Sequence, residues 1–104
     1  MTMKYQLVLQ WPASTIAAYD ALVEFEDMLR ENLSEESRVD GHDLGSGEMN
    51  IFILTNKPES TFESAKDIPQ SQALWTQARA SYREIDGDDY TILWPADLKK
   101  FKVV

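Results

Sequence analysis

The stretch from residue 41 to residue 54, GHDLGSGEMNIFIL, decides how this chain folds. It holds the only histidine, His42, and three of the four glycines. A Gly-Ser-Gly segment cradles phosphate when it follows a strand and opens a helix, because free amides and the helix dipole then converge on the anion. Here the residues that follow alternate. Met49, Ile51 and Ile53 point one way, and Glu48, Asn50, Phe52 and Leu54 point the other. Period two is the signature of a strand. No lysine adjoins the loop and an acid directly follows it, so a phosphate would be repelled. The segment therefore reads as a turn between two strands, 38–44 and 48–55. Glycine supplies positive φ there, and His42 bonds to a neighbouring carboxylate at a strand end.

Upstream, Met3, Tyr5, Leu7, Leu9 and Trp11 alternate with Lys4, Gln6, Val8 and Gln10, which predicts a half-buried strand over 3–11 closed by Pro12. Ser14 or Thr15 then offers a cap, and Ala18, Ala21, Leu22, Phe25, Met28, Leu29 and Leu33 recur at helical steps. Asp20, Glu24, Asp27 and Glu31 lie on the opposite side of this helix, expected over 15–33. Downstream, Pro58 opens a second helix with Phe62, Ala65 and Ile68 on its apolar side, and Pro69 interrupts it. Two readings stand for the remainder. In the preferred one, strands at 81–85 and 90–94 flank Asp-Gly-Asp-Asp as a hairpin. In the other, a helix runs over 70–84 and leaves only the last strand.

The order predicts a single α+β domain over 1–104. It is a ferredoxin-like β-α-β-β-α-β antiparallel sheet with helices on one face, extended by a C-terminal hairpin strand. The chain is long enough for one core, and 43% hydrophobic residues make wholesale disorder unexpected. There is no cysteine, hence no disulfide framework or thiolate metal site. The N-terminus lacks a basic leader and a small-residue cleavage site, and no apolar run approaches a membrane span. The expectation is a cytoplasmic protein.

Candidate chemistry gathers at the same hairpin. A three-residue loop sets His42 opposite Asn50, so that His42, Glu48 and Asn50 share a face with Asp40 next along the strand. Such a cluster suits acid/base work, with His42 and Glu48 as the catalytic candidates. A two-residue loop moves His42 opposite Ile51 and dissolves the cluster. One histidine among unplaced carboxylates falls short of a zinc donor set, so no metal or cofactor is expected. Asp86, Asp88 and Asp89 lack the spacing of a calcium loop. Trp11 and Trp94 each precede proline at a strand end and are expected to stack at one end of the sheet.

The formal charge of -8 is unevenly placed: residues 20–50 carry ten of the eighteen acids and only two of the ten basic residues. That field repels nucleic acid and anionic membranes and favours a basic partner.

The stretches MKYQLVLQWP, DGHDLGSGEMNIFILT and YREIDGDDYTILWP resemble a group of small uncharacterised bacterial proteins with a ferredoxin-like α+β fold. The resemblance implies a compact α+β domain and transfers no catalytic residue. Three functional readings follow. The first is a non-enzymatic domain that binds protein, or a second copy as a homodimer, through the uncovered sheet face. That face would carry Val8, Phe52, Leu54 and Leu93 among Gln6, Gln10 and Asn50, with Asp40, His42 and Glu48 as further binding candidates. The second is an acidic immunity-type inhibitor of a basic toxin or nuclease. The third is a small-molecule or metal-assisted enzyme using His42 and Glu48.

Overall fold

The computed structural model describes residues 3–13, 15–45, 47–68, 72–101 and 103. In chain order the elements are β1 (Tyr5–Pro12), α1 (Ile16–Asn32), β2 (Ser37–Gly45), β3 (Glu48–Thr55), α2 (Pro58–Lys66), a 3-10 turn (Gln72–Thr76), β4 (Arg79–Glu84) and β5 (Thr91–Trp94). The five strands form one sheet in the order β2-β3-β1-β4-β5, and every neighbouring pair is antiparallel. Glu48–Thr55 is extended, so the glycine-rich stretch does reverse one strand onto the next. The preferred hairpin after the 3-10 turn also holds, although residues 85–90 join its strands by a longer connection than a tight turn.

The local causes are readable. Thr15 caps α1, its hydroxyl accepting from the amide of Ala18 at 3.0 Å. Pro58 stands in the first turn of α2, where its missing N–H costs nothing. Gly47 adopts φ +77, and Gly41 adopts φ +134 beside a bulge between Val39 and Gly41.

One apolar cluster joins both helices to one face of the sheet. Leu22, Phe25 and Leu29 from α1 and Phe62 and Ala65 from α2 meet Leu7, Leu9 and Trp11 of β1, Met49, Ile51 and Ile53 of β3, and Ala80 of β4. Trp11 and Trp94 do not stack directly. Trp75 of the 3-10 turn stands between them, 5.6 Å from Trp11 in ring centroids, and Phe62 bridges Trp75 to Trp94. The indole N–H of Trp11 donates to the carbonyl of Leu74, and that of Trp94 donates to the carbonyl of Trp75.

The opposite face departs from expectation at its centre. Val8 and Ser81 are fully buried there, and Gln10 and Asn50 nearly so; Phe52, Leu54 and Ile92 are half-buried. Leu93 is not part of that face. A bulge pairs Ala80 with Trp94 and Ser81 with Ile92, which leaves Leu93 out of the alternation and packed against the helix-side core. Among the described residues, no helix is long and apolar enough to cross a membrane.

Candidate functional site

The loop between β2 and β3 has two residues. Gly45 pairs with Glu48 and His42 pairs with Ile51, so His42 shares the helix-covered face while Glu48, Asn50 and Phe52 occupy the other. The expected cluster of His42, Glu48 and Asn50 is therefore parted by the sheet itself, since a shift of one residue in register exchanges faces. Asn50 instead lies opposite Gln10 and accepts a buried hydrogen bond from its amide at 2.9 Å. Glu48 pairs with Arg79 at 3.4 Å, and Arg79 also reaches the Gln10 side-chain oxygen. Phe52 is half-buried opposite Val8. Asp40 sits in the β2 bulge, exposed, with Arg38 at 3.4 Å.

His42 has gained different partners. Its Nδ1 lies 2.8 Å from Oε1 of Glu26, and its Nε2 lies 3.0 Å from the hydroxyl of Tyr19. The imidazole and phenol rings meet edge to face at 5.7 Å. Tyr19 and Glu26 both belong to α1, two turns apart, and the imidazole from edge strand β2 fits between them. A carboxylate only accepts hydrogen bonds. A neutral imidazole here carries its proton on Nδ1, donating to Glu26, which leaves Nε2 to accept from the Tyr19 O–H.

Burial is graded along this chain of three. The Glu26 side chain is 4% exposed and that of His42 is 29% exposed; Tyr19 is half-buried. The second carboxylate oxygen, Oε2, is buried without a hydrogen-bond partner. The guanidinium of Arg30, one turn on, stands 3.5 Å from it and also reaches Asp27. A buried carboxylate beneath a half-open imidazole, with a phenol at the mouth, is a carboxylate–imidazole–hydroxyl relay. The carboxylate expected beside His42 was one at a strand end; its partner is Glu26 of α1, and neither Glu26 nor Tyr19 is among the residues the sequence singles out. The signal was present: Tyr19, Leu22, Glu26 and Leu29 recur at steps of three and four, so Glu26 occupies a core-flanking position of the helix where an acid is unexpected.

The clefts lie elsewhere. One of about 400 Å³ is lined by Tyr5, Tyr82, Arg83 and the loop acids Asp88 and Asp89. Arg83 holds that loop by donating to the carbonyls of Glu84, Ile85 and Gly87. Another, of about 430 Å³, runs between Lys66, Asp67, Trp75 and Trp94. Among the described residues, no three His, Asp or Glu side chains stand together as a metal-holding group.

Exposed acids line α1 and the loop after it, and others stand on β2, where Asp43, paired with Asn50, lies on the sheet face away from the helices. Asp20, Glu24, Asp27 and Glu31 are exposed along one stripe of α1, followed by Glu35, Glu36, Asp40 and Asp43, all exposed. Asp27, Glu36 and Asp40 meet Arg30, Lys57 and Arg38. Among the described residues, the other five have no cationic side chain within ion-pair distance.

No protein-family model, no curated protein and no solved structure matches the chain.

Proposed function

We propose that this protein is a non-catalytic binding domain that takes a basic protein partner on the exposed side of α1 and the loop that follows it. The run of exposed carboxylates there, with Asp20, Glu24, Glu31 and Glu35 lacking a cation among the described residues, carries the reading. Such a field steers a cationic partner and raises its association rate. Inhibition of a basic toxin or nuclease is one form this binding takes. A second copy is a poor occupant of the same surface, because like charges would face each other. Self-association through the far face has lost its motive, since Val8, Gln10 and Asn50 are already buried within one chain. An enzyme built on His42 and Glu48 has lost its geometry.

The fold is part of the reading. The order β2-β3-β1-β4 with both helices on one face fits a ferredoxin-like core to which β5 is added beside β4. Kinship with the small bacterial group goes with that fold and brings no residue roles.

The test is titration with a nona-arginine peptide at low and at physiological ionic strength. Binding is expected to weaken by about tenfold or more with salt. The triple variant Asp20→Lys, Glu24→Lys, Glu31→Lys should abolish it, while reversal of Asp86, Asp88 and Asp89 should leave it near the native value. Equal loss from both triple variants would show that net charge alone is responsible and would defeat the assignment of the surface.

A further inference from the structure

We propose that Tyr19 is an activated phenol: an acceptor site for group transfer from an electrophile with a good leaving group on tetrahedral sulfur or phosphorus. His42 acts as the general base, and Glu26 orients that base and stabilises its charged form. The inference stands on the relay alone and does not depend on what binds the acidic surface.

Three observations carry it. First, the hydrogen bonds are directional. In the neutral imidazole the Glu26 contact at 2.8 Å holds the proton on Nδ1, so the Nε2 lone pair faces the Tyr19 hydroxyl at 3.0 Å. Second, Glu26 is nearly sealed from solvent, and its Oε2 has no hydrogen bond, only the Arg30 guanidinium at 3.5 Å. A buried carboxylate with few donors favours the imidazolium that forms as the phenol proton is taken, and this stabilisation grows as the reaction proceeds. Third, the phenol end is open. Tyr19 is half-buried and the His42 side chain is 29% exposed, so a reagent reaches the oxygen without opening the fold.

The other tyrosines provide the contrast. Tyr5 packs against Tyr82 at 5.6 Å and Tyr90 against Phe101 at 5.0 Å. Among the described residues, none of these three hydroxyls hydrogen-bonds to an imidazole or a carboxylate. The clefts of about 400 and 430 Å³ are lined by other residues than the relay. Tyr19 is thus a half-buried acceptor that becomes modified, and not the floor of a pocket that turns over a small substrate.

The step balances with an aryl sulfonyl fluoride as donor. The phenol oxygen attacks sulfur and an O–S bond forms. The S–F bond breaks, and fluoride leaves with its electron pair. The phenol proton passes to Nε2 of His42, which later returns it to water.

The experiment treats the full chain with an aryl sulfonyl fluoride and follows each tyrosine by mass spectrometry of its peptide. Tyr19 is expected to label at least about a hundredfold faster than Tyr5, Tyr82 and Tyr90, the lower end of what a positioned base supplies. His42→Gln keeps an amide able to hydrogen-bond the phenol but offers no base, so it should reduce Tyr19 to the rate of the other three. Glu26→Gln should give an intermediate rate. Circular dichroism shows whether each variant is folded, and the comparison of four tyrosines within the native chain needs no variant. Equal rates at all four tyrosines, label on His42 in place of Tyr19, or a Tyr19 rate unchanged in folded His42→Gln would each overturn the proposal.

Discussion

Gly41 has φ +134, a region that residues with a Cβ rarely adopt, yet a Cβ built there meets no atom within 4 Å. Any cost of Gly41→Ala is therefore backbone strain and not collision. The variant should lose about 1–3 kcal/mol, read as a lower urea midpoint at unchanged slope. The Gln10–Asn50 pair behaves differently, because both amides are buried and the Gln10 amide donates to the Asn50 oxygen. Asn50→Leu removes the acceptor of that buried bond and should cost about 1–3 kcal/mol. The double variant Gln10→Leu, Asn50→Leu removes both polar groups and should recover most of that loss. A double variant as unstable as the sum of its parts would show that the amide pair is not the source.

At the scale of elements, α1 begins where Thr15 caps it, and Thr15→Ala should lower stability by about 1 kcal/mol in thermal unfolding. The helix also secures its neighbour. β2 is an edge strand with little apolar anchorage: Val39 packs on the core, while Leu44 is exposed. Besides the ladder to β3, it is the His42 contact with Tyr19 and Glu26 that ties β2 to α1. The element types were legible in the sequence because period two and period 3.6 are both clean in β1, α1 and β3. The face on which His42 lies was not. It depends on whether the loop closes with two residues or three, and Gly45-Ser46-Gly47 accommodates either. Leu93 was misplaced for a related reason, since a bulge breaks the alternation from which a face is read. Glu26 went unnoticed because a glutamate in a helix is ordinarily taken as solvated, although its spacing placed it beside the core.

Across the whole molecule, charge is separated from packing. The core joins helices to sheet on one side, while most of the acid excess lies on α1 and β2 and in the loop between them. Five carboxylates there lack a cation, so the folded state carries repulsion that salt screens. Raising ionic strength from low to physiological should therefore raise Tm, by roughly 4 °C if the relief is about 1 kcal/mol in a domain of this size. The reversal Asp20→Lys, Glu24→Lys, Glu31→Lys should remove most of that sensitivity. A native Tm indifferent to salt would show that the carboxylates are too far apart to repel. The antiparallel sheet and the segregation of helices to one side were readable from element order, whereas the burial of the far face was not. It depends on how the whole sheet is covered, which no local pattern encodes.

The indole hydrogen bonds described above have a practical outcome. All three tryptophans of the chain meet around one short connection: Trp11 and Trp94 grip the carbonyls of Leu74 and Trp75, and Trp75 is itself 6% exposed. Ultraviolet emission from this protein therefore gauges the join between α2 and β4 and is nearly blind to the outer side of α1. A cationic ligand seated on the acid stripe should leave the spectrum still, and a red shift on binding would place the ligand at the indoles instead.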